Sequence, residues 1–186
     1  MKLYLVRHAV AYDHGDPAFP NDDDRTLTPK GRRQFHQAAE GLLELIKPPA
    51  VILTSPLPRA AQTAEILQRV VGSDASALVV CDALRPGGDF DQVVLDCLAQ
   101  VDAAARDDGG DASGDNSVLD RGLALVGHEP ALGGLAAWLI GGGEAAVGVE
   151  FEKGGAARVD FDGLPAGGRG VLQWLLTPRI LRRLRA

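Results

Sequence analysis

Apolar residues fall into two rhythms along this chain, and the alternation between them sets the expected fold. Short continuous runs at 2–6, 51–53, 78–81 and 123–126 have the length of strands covered on both faces. Between them, apolar positions return every three or four residues. Phe35, Ala38, Ala39, Leu42, Leu43 and Ile46 form one such helical stripe. Thr28 opens it as an N-cap, Pro29 takes the first helical position, and Pro48 and Pro49 stop it. A second stripe, with Leu57, Ala60, Ala61, Ala64, Leu67 and Val71, has its expected start at Ser55 and Pro56. A third covers 89–101 through Phe90, Val93, Val94, Cys97, Leu98 and Val101, and a fourth follows Gly127-His128-Glu129-Pro130 as far as Leu139. Segments 156–161 and 171–176 read as two more strands, an antiparallel pair at one edge, and a last helix follows Pro178.

Alternation of this kind predicts a three-layer α/β/α sandwich with a mostly parallel central sheet. A length of 186 residues suits one domain, 1–186, with a real core. The stretch 106–121 is rich in Asp, Gly and Ser and lacks periodicity, which predicts a mobile surface loop. It is not a linker, because neither side carries enough apolar sequence to stand alone.

Charge and cysteine usage narrow the function. The net charge is −6 and the pI about 5.1, which argues against a nucleic-acid binder, whose affinity needs a cationic face. The cluster Arg179, Arg182, Arg183 and Arg185 reads as the solvated end of a C-terminal helix. Cys81 and Cys97 sit inside apolar patterns without metal-type spacing, as buried reduced thiols would. No run of ~18 apolar residues predicts a membrane span, and no cleavable signal pattern opens the chain. A cytoplasmic location is expected. So is a monomer, since no heptad or long apolar stripe demands a partner.

The candidate chemistry collects at strand ends. Arg7 and His8 follow the first strand, Arg59 lies in the first turn of the helix after the second, and His128 follows the fourth. Ligands of open α/β sheets bind beyond the carboxyl ends of the strands, so these four residues are expected to converge on one rim. Singly, each has a bland reading as a surface charge or a helix cap. Jointly, two guanidinium groups and two imidazoles suit a phosphoryl group: arginine offers paired donors to its oxygens. Helix starts near Ser55 and His128 would add backbone donors. A neutral imidazole can attack phosphorus and carry it covalently, while the second stabilises developing charge. The cationic groups supply the compensation, so neither metal nor cofactor is called for. His14, in a polar loop, and His36, beside a buried stripe, are given no role.

Leu5-Val6-Arg7-His8-Ala9 resembles the Arg-His-Gly signature of the histidine phosphatase superfamily. Three further blocks match in order: Arg25-Thr26-Leu27-Thr28-Pro29-Lys30-Gly31, Thr54-Ser55-Pro56-Leu57-Pro58-Arg59-Ala60-Ala61-Gln62-Thr63-Ala64, and Val126-Gly127-His128-Glu129-Pro130. Together they resemble the short SixA-type phosphohistidine phosphatase branch, which implies a phosphoglycerate mutase-like fold. The resemblance assigns His8 as the phosphorylated nucleophile, Arg7 and Arg59 as phosphate clamps and His128 as the second pocket histidine. Ala9 departs from the usual Gly, a change between two small residues.

A second departure bears on the substrate. Ester-cleaving relatives carry a carboxylic acid shortly after the third strand, and the corresponding stretch here, Asp82-Ala83-Leu84-Arg85-Pro86-Gly87-Gly88, has Arg85 at that place. An alkoxide leaving group needs a positioned proton donor, an effect of ~10²–10⁴-fold. The imidazole released from phosphohistidine can already be protonated near neutral pH. Few segments are left to cover the pocket besides the 13–24 loop, so an open, shallow, lid-poor site is expected, open to a phosphohistidine on a protein surface. Mutase activity, which must retain its intermediate, is disfavoured. The expected function is a phosphohistidine phosphatase working through phospho-His8. The alternative is a phosphatase of a small metabolite or nucleotide, with Asp82, Asp89 or Glu129 as the acid. A non-catalytic phosphate binder would need the arginines but not His8.

Overall fold

The four apolar runs become the parallel part of a six-stranded sheet, described by a computed structural model over residues 1–72, 77–107, 117–143 and 146–185. In chain order the strands are β1 (Lys2–Arg7), β2 (Val51–Thr54), β3 (Ala77–Val80), β4 (Leu123–Gly127), β5 (Ala156–Asp160) and β6 (Val171–Leu176). The helices are α1 (Pro29–Leu43), α2 (Pro58–Val71), α3 (Phe90–Asp107), α4 (Val118–Arg121), α5 (Ala131–Gly141) and α6 (Pro178–Leu184). Sheet order is β3-β2-β4-β1-β5-β6; the first four strands are parallel, and β5 and β6 run antiparallel at one side.

Successive strand residues point to opposite faces, and here both faces are apolar. Leu3, Leu5, Leu123 and Leu125 pack toward α3 and α5, against Val93, Cys97, Leu132 and Leu135. Tyr4, Val6, Ala124 and Val126 pack toward α1, α2 and α6, against Phe35, Ala38, Leu67 and Leu181. The result is the three-layer sandwich expected. Among the described residues no helix is long and apolar enough to cross a membrane.

Three boundaries differ from the sequence reading. Helix α2 begins at Pro58, not Ser55, because Pro58 fits the first helical position while holding Leu57 extended (ψ 134°). Helix α5 begins at Ala131, with Pro130 as its cap, so His128 precedes it by three residues. The loop expected at 106–121 is helical at both ends: α3 runs through Asp107, and Ser117 caps α4, whose Val118 is buried. Residues 108–116 of that loop lie outside the described residues. Both cysteines are buried and free of disulfides, with their thiol pKa values pushed up to about 12 by burial.

Candidate active site

Strand register brings the site together. Arg7 pairs with Gly127 and Thr54 with Val126, so β1, β2 and β4 end almost level. The next residues extend the ladder: His8 N–H donates to Gly127 O (3.0 Å) and Ser55 N–H to Val126 O (3.0 Å). His8 and His128 then face each other with ring centroids 5.1 Å apart. Arg59 arrives from the first turn of α2, tied to β1 through one hydroxyl. Thr63 Oγ1 donates to Arg59 O (2.7 Å) and accepts from Ala9 N–H (3.0 Å). Ala9 itself is buried, its methyl in the apolar layer. Under the site, Gly154 N–H reaches both Arg7 O and His8 O from a left-handed backbone (φ 82°) that favours glycine.

His8 is held in one tautomer. Its Nδ1 lies 2.7 Å from the carbonyl of Ala9, which can only accept, so Nδ1 carries the hydrogen and the lone pair sits on Nε2. Burial lowers its pKa to about 4, with Arg59, Arg7 and Lys153 adding to the effect. His128 is lowered to about 3 by burial and then by His8 and the arginines. Both rings are therefore neutral at pH 7. His128 Nε2 pairs with Ser55 Oγ at 2.9 Å.

Three buried side-chain nitrogens have no hydrogen-bond partner among the described residues: Arg7 Nε, Arg59 Nε and His128 Nδ1. Each such group costs on the order of 1–3 kcal/mol when left unpaired, and all three belong to the residues singled out at the strand ends. His8, Arg59 and His128 are only 6%, 4% and 2% exposed, deeper than an open, shallow rim implies. Arg7 stands between two clefts, of about 1100 Å³ and 450 Å³, and lines both.

Arg59 is covered from the 13–24 loop by Asp22, which the sequence reading left unassigned. Arg59 Nη1 donates to Asp22 O (2.9 Å), and Nη2 lies 3.5 Å from the carboxylate. Asp22 also accepts two bonds from Arg25 (2.6 and 3.1 Å) and one contact from His14 (2.6 Å). The Arg25 donors, then His14, hold its pKa well below the usual carboxylate range. The signal available was the spacing of Asp22 three residues before Arg25, the first residue of a matching block. His36 is exposed and lies 3.6 Å from Glu40, away from the site.

The three candidate acids are all engaged elsewhere. Asp82 is exposed and pairs with Arg85 at 3.2 Å. Asp89 caps α3, accepting from Asp91 N–H (2.8 Å) and Gln92 N–H (3.3 Å). Glu129 does line the larger cleft beside Arg7. Its carboxylate accepts from Phe151 N–H (2.8 Å) and Gly133 N–H (3.3 Å), while Arg7 Nη1 donates to Phe151 O. The backbone of Phe151 is thus held on both sides by rim residues, its N–H by Glu129 and its carbonyl by Arg7. The expected backbone donors from helix starts at Ser55 and His128 are not found there, since α2 and α5 begin three residues later.

Residues 3–92 match the model of the histidine phosphatase superfamily (branch 1). The chain is 37% identical over 134 residues to an uncharacterized protein of Picosynechococcus sp., covering 72% of this chain and 69% of that one. It superposes on the protein histidine phosphatase SixA solved with tungstate, with TM-score 0.70, 24% identity and coverage of 97% of this chain and 99% of that one. It also superposes on a mycobacterial glucosyl-3-phosphoglycerate phosphatase solved with VO3, with TM-score 0.64, 19% identity and coverage of 95% and 99%. These two likenesses establish a shared fold.

Proposed function

The chain belongs to the histidine phosphatase superfamily, phosphatases with a catalytic histidine, and from that premise we propose that it dephosphorylates phosphohistidine on a protein. The observation that carries the reading is the pocket itself. A neutral His8 with its lone pair fixed on Nε2 stands beside three buried, unpaired nitrogens of Arg7, Arg59 and His128. The oxygens of a phosphoryl group are acceptors of the kind these nitrogens lack.

In this reading His8 Nε2 attacks phosphorus, forming a P–N bond as the substrate's own P–N bond breaks. Arg7 and Arg59 hold the phosphoryl oxygens, and His128 supports the charge that builds on them. The substrate imidazole, protonated beforehand on its other ring nitrogen, leaves as a neutral ring with the electron pair of the broken bond on the nitrogen that held phosphorus, so no dedicated acid is required. Water then attacks phosphorus, inorganic phosphate departs, and His8 regains its lone pair. The structural engagement of Asp82, Asp89 and Glu129 favours this acid-free route over ester hydrolysis.

One observation supports a second reading. Glu129 alone of the three lines the cleft at Arg7, and the similar glucosyl-3-phosphoglycerate phosphatase acts on a small ester. If Glu129 protonates an alkoxide, the substrate is a small phosphorylated metabolite or nucleotide. Phosphate release from a phosphohistidine peptide, p-nitrophenyl phosphate and sugar phosphates, with His8→Ala as the blank, separates the two. The first reading predicts strong preference for the P–N substrate and little effect of Glu129→Gln. Comparable turnover of unactivated esters, lost in Glu129→Gln, would overturn it.

A further inference from the structure

The smaller cleft, on the far side of Arg7 from Glu129, has an electrostatic character opposite to that of the whole chain. Arg7, Lys153, Arg179 and Arg182 line it, against two carboxylates, Glu150 and Glu152. Lys153, Arg179 and Arg182 form no ion pair with any described residue. They sit in a protein of net charge −6, where a cationic concavity is not what composition alone would produce.

The fold holds this arrangement in place. Arg179 and Arg182 are three residues apart on α6, the spacing that puts two side chains on one helix face. Helix α6 lies against α1 with the backbones nearly touching at Gly41, where a Cβ would come within 1.8 Å of Leu181 O. Lys153 comes from the turn that ends at Gly154, directly beneath the carbonyls of Arg7 and His8. Its charge adds the smallest contribution to the lowered pKa of His8, after burial and the two arginines.

We propose that this cleft is the docking groove for an acidic segment of the phosphorylated protein, flanking its phosphohistidine. The inference rests on the phosphohistidine reading and names what that substrate carries beside the reacting residue. Arg7 joins the two parts: its guanidinium meets the phosphoryl group while its side chain forms the inner wall of the groove. The groove's outer cations, Lys153 and Arg179, are exposed and Arg182 is half-buried. Small-molecule sites bury 70–90% of their ligand, whereas a groove open along one side suits an extended chain laid across it. Opposite charge on the partner also raises the rate of encounter, and salt weakens it.

The test uses two phosphohistidine peptides with the same core, one flanked by Asp and Glu and one by Ser and Gly, and the double variant Arg179→Glu/Arg182→Glu. In the unaltered protein kcat/KM for the acidic peptide is expected to exceed that for the neutral one by roughly tenfold. The double variant is expected to abolish or reverse that ratio through KM, leaving kcat, and the turnover of phosphoramidate, unchanged. Unchanged phosphoramidate turnover also shows that the variant folds. Equal kcat/KM for the two peptides in the unaltered protein, or an equal loss for both in the variant, overturns the groove. If neither peptide is dephosphorylated, the phosphohistidine reading fails by itself. The groove is then judged from fluorescence anisotropy of the unphosphorylated peptides: tighter binding of the acidic one, lost in the double variant, supports it, and equal binding overturns it.

Discussion

The two ends of the parallel strands treat buried and half-buried polar groups in opposite ways. At the end where β1 and β4 begin, donors and acceptors are matched. Lys2 Nζ reaches Asp120 O and Oδ1 (2.6 and 3.1 Å), and Lys47 Nζ meets the other oxygen of the same carboxylate (2.7 Å). Arg121 donates to the carbonyls of Pro48 and Pro49. Where the strands finish, Arg7 Nε, Arg59 Nε and His128 Nδ1 are buried without partners among the described residues, and two imidazoles are held neutral. One sheet with the same packing on both faces has one end built for stability and one end that gives up stability. The unpaired end is where a ligand must supply what the protein withholds.

Mutations should therefore split by end. The largest effect falls on His8→Ala, which should lower phosphatase kcat by on the order of 10⁴ or more while leaving the melting temperature equal or higher. Loss of folding in that variant would break the comparison. Arg59→Ala should lower kcat by roughly 10²–10³-fold, the scale of losing a preorganised donor to developing charge, read in steady-state kinetics with the same substrate.

Next comes pH. His8 has a folded pKa near 4 against an ordinary value of 6.5, so below pH 6.5 the unfolded chain takes up a proton that the folded one refuses. Stability is then flat above about pH 6.5 and falls as pH drops toward 4. His8→Gln should remove about 2 kcal/mol of that fall at pH 5, measured by urea unfolding of both proteins at pH 5 and pH 8. Since the attacking form is the neutral ring, kcat/KM should show no loss from His8 ionisation between pH 5 and 7. A smaller effect is expected of Asp22→Ala, which removes the carboxylate joining Arg25 to Arg59. Roughly tenfold in kcat would fit a slackened Arg59, with a near-unchanged melting curve. Asp120→Ala, at the opposite end, should shift the melting temperature slightly downward and leave kcat as it was. A kinetic defect there would mean the two ends are coupled.

Much of this was legible in the chain because it depends on local pattern. The run from Leu3 to Val6 is apolar at every position, which only a strand covered on both faces requires, and Thr28-Pro29 marks a helix start by its own chemistry. Arg7, His8, Arg59 and His128 were locatable because strand ends in an open sheet share one rim, and the structure does bring them together. What escaped depends on the path of the chain through space. Asp22 reaches Arg59 only because the 13–24 loop folds back over α2, and no periodicity encodes that. The hold of Arg7 and Glu129 on the Phe151 backbone depends on a residue outside any helix or strand, buried by tertiary contact alone. The start of α2 was misplaced at Ser55 because the pattern of buried positions begins before the proline geometry allows a helix. Ser55 is freed by that delay to meet His128.

The central claim is that His8 carries the phosphoryl group, and trapping the intermediate tests it most directly. The protein is mixed with phosphoramidate, quenched in base within the first turnovers, digested, and its phosphorylated peptide located by mass spectrometry. The account predicts a phosphoryl group on the peptide holding His8, attached at Nε2, disappearing as inorganic phosphate forms and absent in His8→Ala. Turnover with the phosphoryl group on His128, or turnover that persists in His8→Ala, would contradict it.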